Sequence, residues 1–213
     1  MKIRKTTPRT FLILLLGCIA SRASAQNLLN GSFEMGTDPN TGAGQNIGMT
    51  APDSTTIFGW TLSSGTVDYI GSRWVAGEGV RCIDLSGTSA GTIFQTISGF
   101  TPGLTYQLSF LMAANPEGGA PTRSLQADIG GASQIFSFTG PGSAADLGWA
   151  QRTFQFTAAA PTLTLTFTSL DNNAFGAALD GVRIVPVPEP SSWALLVIGA
   201  SALAYYRRWR QRQ

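Results

Sequence analysis

The residue types able to do chemistry in this chain are nearly all carboxylates. It carries twelve Asp+Glu, fourteen Lys+Arg and no histidine, and its two lysines, Lys2 and Lys5, stand at the extreme start. Ser-His, Cys-His and Ser-Lys nucleophiles therefore cannot be assembled, and neither can a lysine Schiff base. Metal sites built on imidazole are excluded as well. What survives is carboxylate acid–base work, oxygen-ligand metals and binding. A glycosidase-like pair could draw on Asp68, Glu78, Asp84, Asp128, Asp146 and Asp171. Their spacing selects no two of them.

Two motifs look catalytic and are not. Gly87-Thr-Ser-Ala-Gly91 matches G-x-S-x-G, but a nucleophile elbow needs a following helix and a histidine base. Here a strand-like run follows, so the segment reads as a glycine-rich turn. Gly42-Ala-Gly-Gln-Asn-Ile-Gly48 echoes a dinucleotide loop with its last spacing one residue too long.

The aromatic residues carry the binding expectation, because sugar rings stack on flat apolar faces with hydrogen bonds at their edges. Tyr69 and Trp74 flank the turn-like Gly71-Ser-Arg73 and are expected to form a surface platform, with Arg73 and Glu78 binding hydroxyls. Trp60 and Trp149 each follow a glycine at a strand start and read as core plugs. Cys82 lies in an apolar run and reads as a buried small hydrophobe.

The elements that must position these groups read as strands. Thr162-Leu-Thr-Leu-Thr-Phe-Thr168 alternates apolar and hydroxyl residues, and Tyr106, Leu108, Phe110 and Met112 line one face. Further strands are expected at 27–34, 57–62, 66–70, 80–85, 91–98, 123–129, 133–138, 152–157 and 178–185, with a surface loop over 36–56. Short strands punctuated by Gly and Pro turns predict an all-β antiparallel sandwich, a jelly roll first among them.

The ends read as addresses. A basic start, an apolar Phe11–Leu16 run and Ala23-Ser-Ala25 form a secretory signal peptide over 1–25. The body, 26–190, then holds all twelve acids against five arginines, a net charge of −7. Such a body is no nucleic-acid partner. At the other end stand Pro188, Glu189 and Pro190, an apolar stretch expected as a transmembrane helix over about 192–206, and a basic tail, 207–213. That order over 186–213 closely resembles the PEP-CTERM sorting signal of Gram-negative bacteria that make exopolysaccharide. The resemblance implies processing by an exosortase at the inner membrane, with Glu189 a recognition residue, and then release to the envelope, cell surface or matrix.

The body, 26–185, resembles the choice-of-anchor C family of bacterial surface proteins, related to galactose-binding-like sandwiches. Asn27-Leu-Leu-Asn-Gly-Ser-Phe-Glu34, Gly59-Trp60, Gly79-Val-Arg-Cys-Ile-Asp-Leu-Ser-Gly87, Gly103-Leu-Thr-Tyr106 and Ala178-Leu-Asp-Gly-Val182 carry the likeness. Gly181 departs from it, standing where Asn is more usual. The resemblance implies fold and location, with no enzymatic activity. It also implies a structural calcium held by Glu34, Asp180 and the carbonyls around Ser32. Read from the residues alone, Glu34 and Asp180 could equally be satisfied by backbone donors or by Arg183. Three functions follow in order: a non-catalytic exported protein of structural or adhesive role, a dedicated carbohydrate-binding module, and a carboxylate-based glycan hydrolase. Partners are the exosortase and an exopolysaccharide or other glycan.

Overall fold

In a computed structural model, the described residues are 26–117, 122–140, 142–188 and 192–211. The expected signal peptide, 1–25, and the motif residues Glu189 and Pro190 lie outside them. Among the described residues eleven strands form two sheets, every pair antiparallel. They are β1 (Asn46–Thr50), β2 (Thr61–Ser64), β3 (Thr66–Ile70), β4 (Cys82–Asp84), β5 (Thr92–Ser98) and β6 (Thr105–Ala114). They continue with β7 (Thr122–Ile129), β8 (Ala132–Thr139), β9 (Ala150–Thr157), β10 (Thr162–Ser169) and β11 (Ala177–Pro186).

One sheet runs β1-β3-β4-β11-β6-β9 and the other β2-β5-β10-β7-β8. From β4 onward the chain winds as a jelly roll, with the last strand, β11, lying between β4 and β6. The period of two drives this closure. Leu163, Leu165 and Phe167 of β10 are buried while the threonines between them face outward. A chain of aromatic contacts runs through the core, with Phe33 5.3 Å from Trp60, Phe167 5.2 Å from Phe110 and Phe110 5.0 Å from Phe136. Cys82 is buried among these residues.

Two expectations near the start are overturned. Residues 27–34 are not a strand, because Asn30 and Phe33 take left-handed φ values of 50° and 57°. Side chains satisfy the backbone there instead: Leu29 N donates to Gln95 Oε1 at 2.7 Å, and Gln95 Nε2 donates to Leu29 O at 2.9 Å. The expected loop over 36–56 contains the edge strand β1, which buries only Met49 and so shows almost no apolar alternation.

The helix α1, Ser192–Arg210, outruns the span expected at about 192–206 and takes in Arg207, Arg208 and Arg210. No helix among the described residues is long and apolar enough to cross a membrane. The helix has 19 residues, but its last turn carries three arginines, so the apolar part over 192–206 rises only about 22 Å against a hydrocarbon core of roughly 30 Å.

Candidate functional site

Asp180 lies on β11 where the pairing with β6 slips between Asp180 and Arg183, and it is wholly buried. Its Oδ2 accepts from Glu78 N at 2.8 Å and its Oδ1 from Gly181 N at 2.6 Å. The irregular opening segment brings Glu34 to the same loop. Asn30 ties that turn down by donating to the Met35 and Phe58 carbonyls and accepting from Met35 N. Phe33 then enters the core, and half-buried Glu34 points the other way. Its Oε1 accepts from Val80 N at 2.8 Å and from Arg81 N at 2.9 Å. Burial pushes the Asp180 carboxyl up to about 7 despite these donors, and the nearby Glu34 charge adds to the rise.

Arg183 does not reach either acid; its Nη2 pairs with Glu78 at 2.6 Å. Ser32, Glu78 and Arg183 border one open groove of about 370 Å³, shared with Leu28, Gly31 and Val182. Among the described residues, no group of three or more His, Cys, Asp or Glu gathers as metal ligands. A cation here would draw on the two carboxylates and on carbonyl oxygens. That donor set suits calcium, and each carboxylate keeps lone pairs beyond those the N–H groups use.

The expected aromatic platform is not at the surface. Tyr69 is 0% exposed and Trp74 4%. Tyr69 faces inward from β3, its hydroxyl donating to Phe33 O and accepting from Arg81 Nη1 at 3.1 Å. Trp74 Nε1 reaches Glu117 at 3.3 Å. Arg73 closes on that same carboxylate through Nε at 2.8 Å and Nη2 at 2.5 Å. This forked pair holds the Glu117 carboxyl below its usual range and fastens the 71–74 turn to the 115–117 turn. Arg73 and Trp74 therefore form a clasp, and Glu78 belongs to the separate groove at β11. Glu117 left no mark in the sequence because it follows Pro116 at the end of an apolar run, with no alternation to single it out.

The structure also pairs two of the six candidate acids. Asp68 and Asp84 stand opposite each other in the β3–β4 register. Asp84 is fully buried and accepts from Ser86 N and Gly176 N, both at 3.0 Å, and from Asn115 Nδ2 at 2.5 Å. Desolvation pushes it up to about 7, with Asp68 adding repulsion. Burial likewise raises Asp68, opposed by Asn46 and Arg73. Asp84 is wholly buried and its oxygens are taken up by Ser86, Gly176 and Asn115, so it is placed as a structural acid of the core.

Residues 26–185 match the family described as "Protein of unknown function (DUF642)", and residues 186–211 match the PEP-CTERM protein-sorting motif. Halomucin of Haloquadratum walsbyi is 36% identical over 188 residues, covering 84% of this chain but only 2% of its own length. The carbohydrate-binding module TmCBM61, solved with beta-1,4-galactotriose, is 12% identical over 75% of this chain and 97% of its own, with a TM-score of 0.46. The CBM22-1 xylan-binding domain of Paenibacillus barcinonensis Xyn10C is 18% identical over 68% and 95%, with a TM-score of 0.44.

Proposed function

The chain belongs to the DUF642 family and carries a PEP-CTERM sorting motif behind its sandwich, and from that premise we propose a non-catalytic exported protein with a glycan-binding, adhesive domain. An exosortase handles the tail around Pro188, Glu189 and Pro190 and passes the sandwich to the envelope or the exopolysaccharide matrix. The observation that carries this reading is the order of parts: the sorting motif over 186–211 abuts a family match ending at 185. The halomucin likeness supports a modular role, since the matching stretch is a small fraction of that protein. Replacing residues 188–190 with alanine tests the sorting. The altered chain is expected to stay unprocessed in the cell fraction, and normal release would contradict the reading. Binding of the full chain to immobilised polysaccharides tests the glycan part.

A structural calcium is the second element of the proposal, favoured by Asp180, a buried carboxyl raised to about 7 beside a second acid. Glu34, Asp180 and the Ser32 carbonyl would hold it. The ion would neutralise both carboxylates and tie the opening segment to β11.

A further inference from the structure

Resting on the glycan-binding reading above, we infer that the outer face of the sheet β2-β5-β10-β7-β8 is the binding surface, and that it takes a neutral polysaccharide. This face is built of hydroxyls. The four outward threonines of β10 run Thr162, Thr164, Thr166 and Thr168, and β5 and β7 continue the pattern on either side. Neighbouring strands then join hydroxyl to hydroxyl: Thr92 to Thr168 at 3.3 Å, Thr96 to Thr164 at 3.4 Å and Ser124 to Ser137 at 2.8 Å. Such pairing fixes side-chain rotamers before any ligand arrives, which lowers the ordering cost of binding.

Strand propensity favours the threonines of β10 and disfavours Lys and Glu, and the body carries no lysine. What marks this face is that the remaining acids also fall outside its strands, with one exception. Across the outward positions of these five strands the one charged side chain is Asp128, and Gln126 Nε2 donates to both its oxygens at 3.1 Å. Phe94 lies half-buried in the middle of the face, opposite Thr61 and Thr166, and offers a ring edged by hydroxyls.

Each of these features selects the same ligand chemistry. A Ser or Thr hydroxyl both donates and accepts, as a sugar hydroxyl does. An apolar ring among hydroxyls suits the C–H face of a sugar. With no cation on the face and a body of net charge −7, a uronate or sulfated chain is repelled. At the other sheet, Trp74 is buried beside the Arg73–Glu117 clasp, and half-buried Trp149 is tied through its Nε1 to the Val75 carbonyl at 3.0 Å.

The test is retention of the full chain on immobilised neutral polysaccharides (β-glucan, xylan, galactan and starch) beside alginate as the anionic probe. Two variants are compared with it: Phe94→Ala, and the triple change Thr96→Val, Thr164→Val, Thr166→Val, which keeps β-branched shape and removes three hydroxyls. The inference predicts retention on at least one neutral polymer and none on alginate, with each variant weakened at least about tenfold at an unchanged melting temperature. Should either variant melt lower, Thr164→Glu, which adds a charge at an exposed position, must lose retention in its place. Full retention by every folded variant overturns this face while leaving glycan binding intact. Failure of the wild-type chain on every polymer overturns both.

Discussion

Glu34 and Asp180, 146 positions apart in the chain, hold the same short loop by its backbone. Asp180 accepts from Glu78 N, and Glu34 accepts from Val80 N and Arg81 N. The loop between β3 and β4 is thereby fastened to the first and last parts of the sandwich at once. The Glu34 bonds stitch the opening segment, which forms no strand, to that loop, so their loss should be felt beyond the loop itself.

Replacing Glu34 with alanine leaves Val80 N and Arg81 N without their acceptor. Hydrogen bonds to a charged group are each worth about 1.5–3 kcal/mol, and because these two are only partly shielded from water the domain should lose roughly 2–4 kcal/mol. For a chain of this size that lowers the melting temperature by about 5–15 °C. Thermal unfolding of Glu34→Ala beside the wild type checks it, and a shift under about 2 °C would show the bonds to be dispensable.

Gly79 supplies a sharper test of the same loop. Its φ is +68°, and a Cβ built there lies 2.3 Å from Glu34 Oε1. Gly79→Ala meets left-handed strain and a collision together, so it should cost at least about 1–2 kcal/mol. Gly103 has φ +85° with nothing within 4 Å. Gly103→Ala carries the strain alone, and denaturant titration should rank it the milder of the two.

Stability should fall as pH rises from about 4 to about 7. Asp84 and Asp180 both titrate near 7 in the folded protein, against an ordinary 3.8. The folded state therefore holds protons that the unfolded state has released, and that stabilisation is complete below about pH 4 and gone above about 7. Asp53 and Glu117 are shifted downward and act oppositely, losing their contribution only as pH falls through the acid range. Melting in the presence of a chelator should thus peak near about pH 4, and Asp84→Asn should flatten the decline toward pH 8. A melting temperature higher at pH 8 than at pH 5 would refute this assignment.

Much of the sandwich was legible in the sequence because alternation reports burial directly, as in β10, where every second residue is buried. The two failures near the start share a physical cause. Asn30 and Phe33 turn left-handed while their neighbours look apolar enough for a strand, and β1 buries too little to alternate. The platform expectation failed at Tyr69 because a turn at 71–73 says nothing about which face of β3 a ring takes; parity with Val67, a core residue, would have placed it inside. Gly181 tells the opposite story. It departs from the Asn usual at that position, yet its φ of +55° is a conformation both residues tolerate, so the departure leaves the backbone unchanged.

The proposed calcium predicts a melting temperature that rises when calcium is added and falls with chelator, in wild type but not in Asp180→Asn. The increment grows with concentration over Kd, reaching about 2.7 kcal/mol at a hundredfold excess. Identical melting curves with and without chelator would remove calcium from the account and leave the backbone N–H groups as the carboxylates' sole partners.

Export and sorting through the tail are read most plainly from the mass of the mature protein. Intact-mass measurement compares the protein recovered from an exosortase-bearing host with that from the same host lacking the exosortase. A surface or matrix species lacking residues 1–25 and altered at the 186–213 tail is expected, with the tail left unaltered when the exosortase is absent. A full-length 213-residue mass, found inside the cell in both hosts, would contradict it.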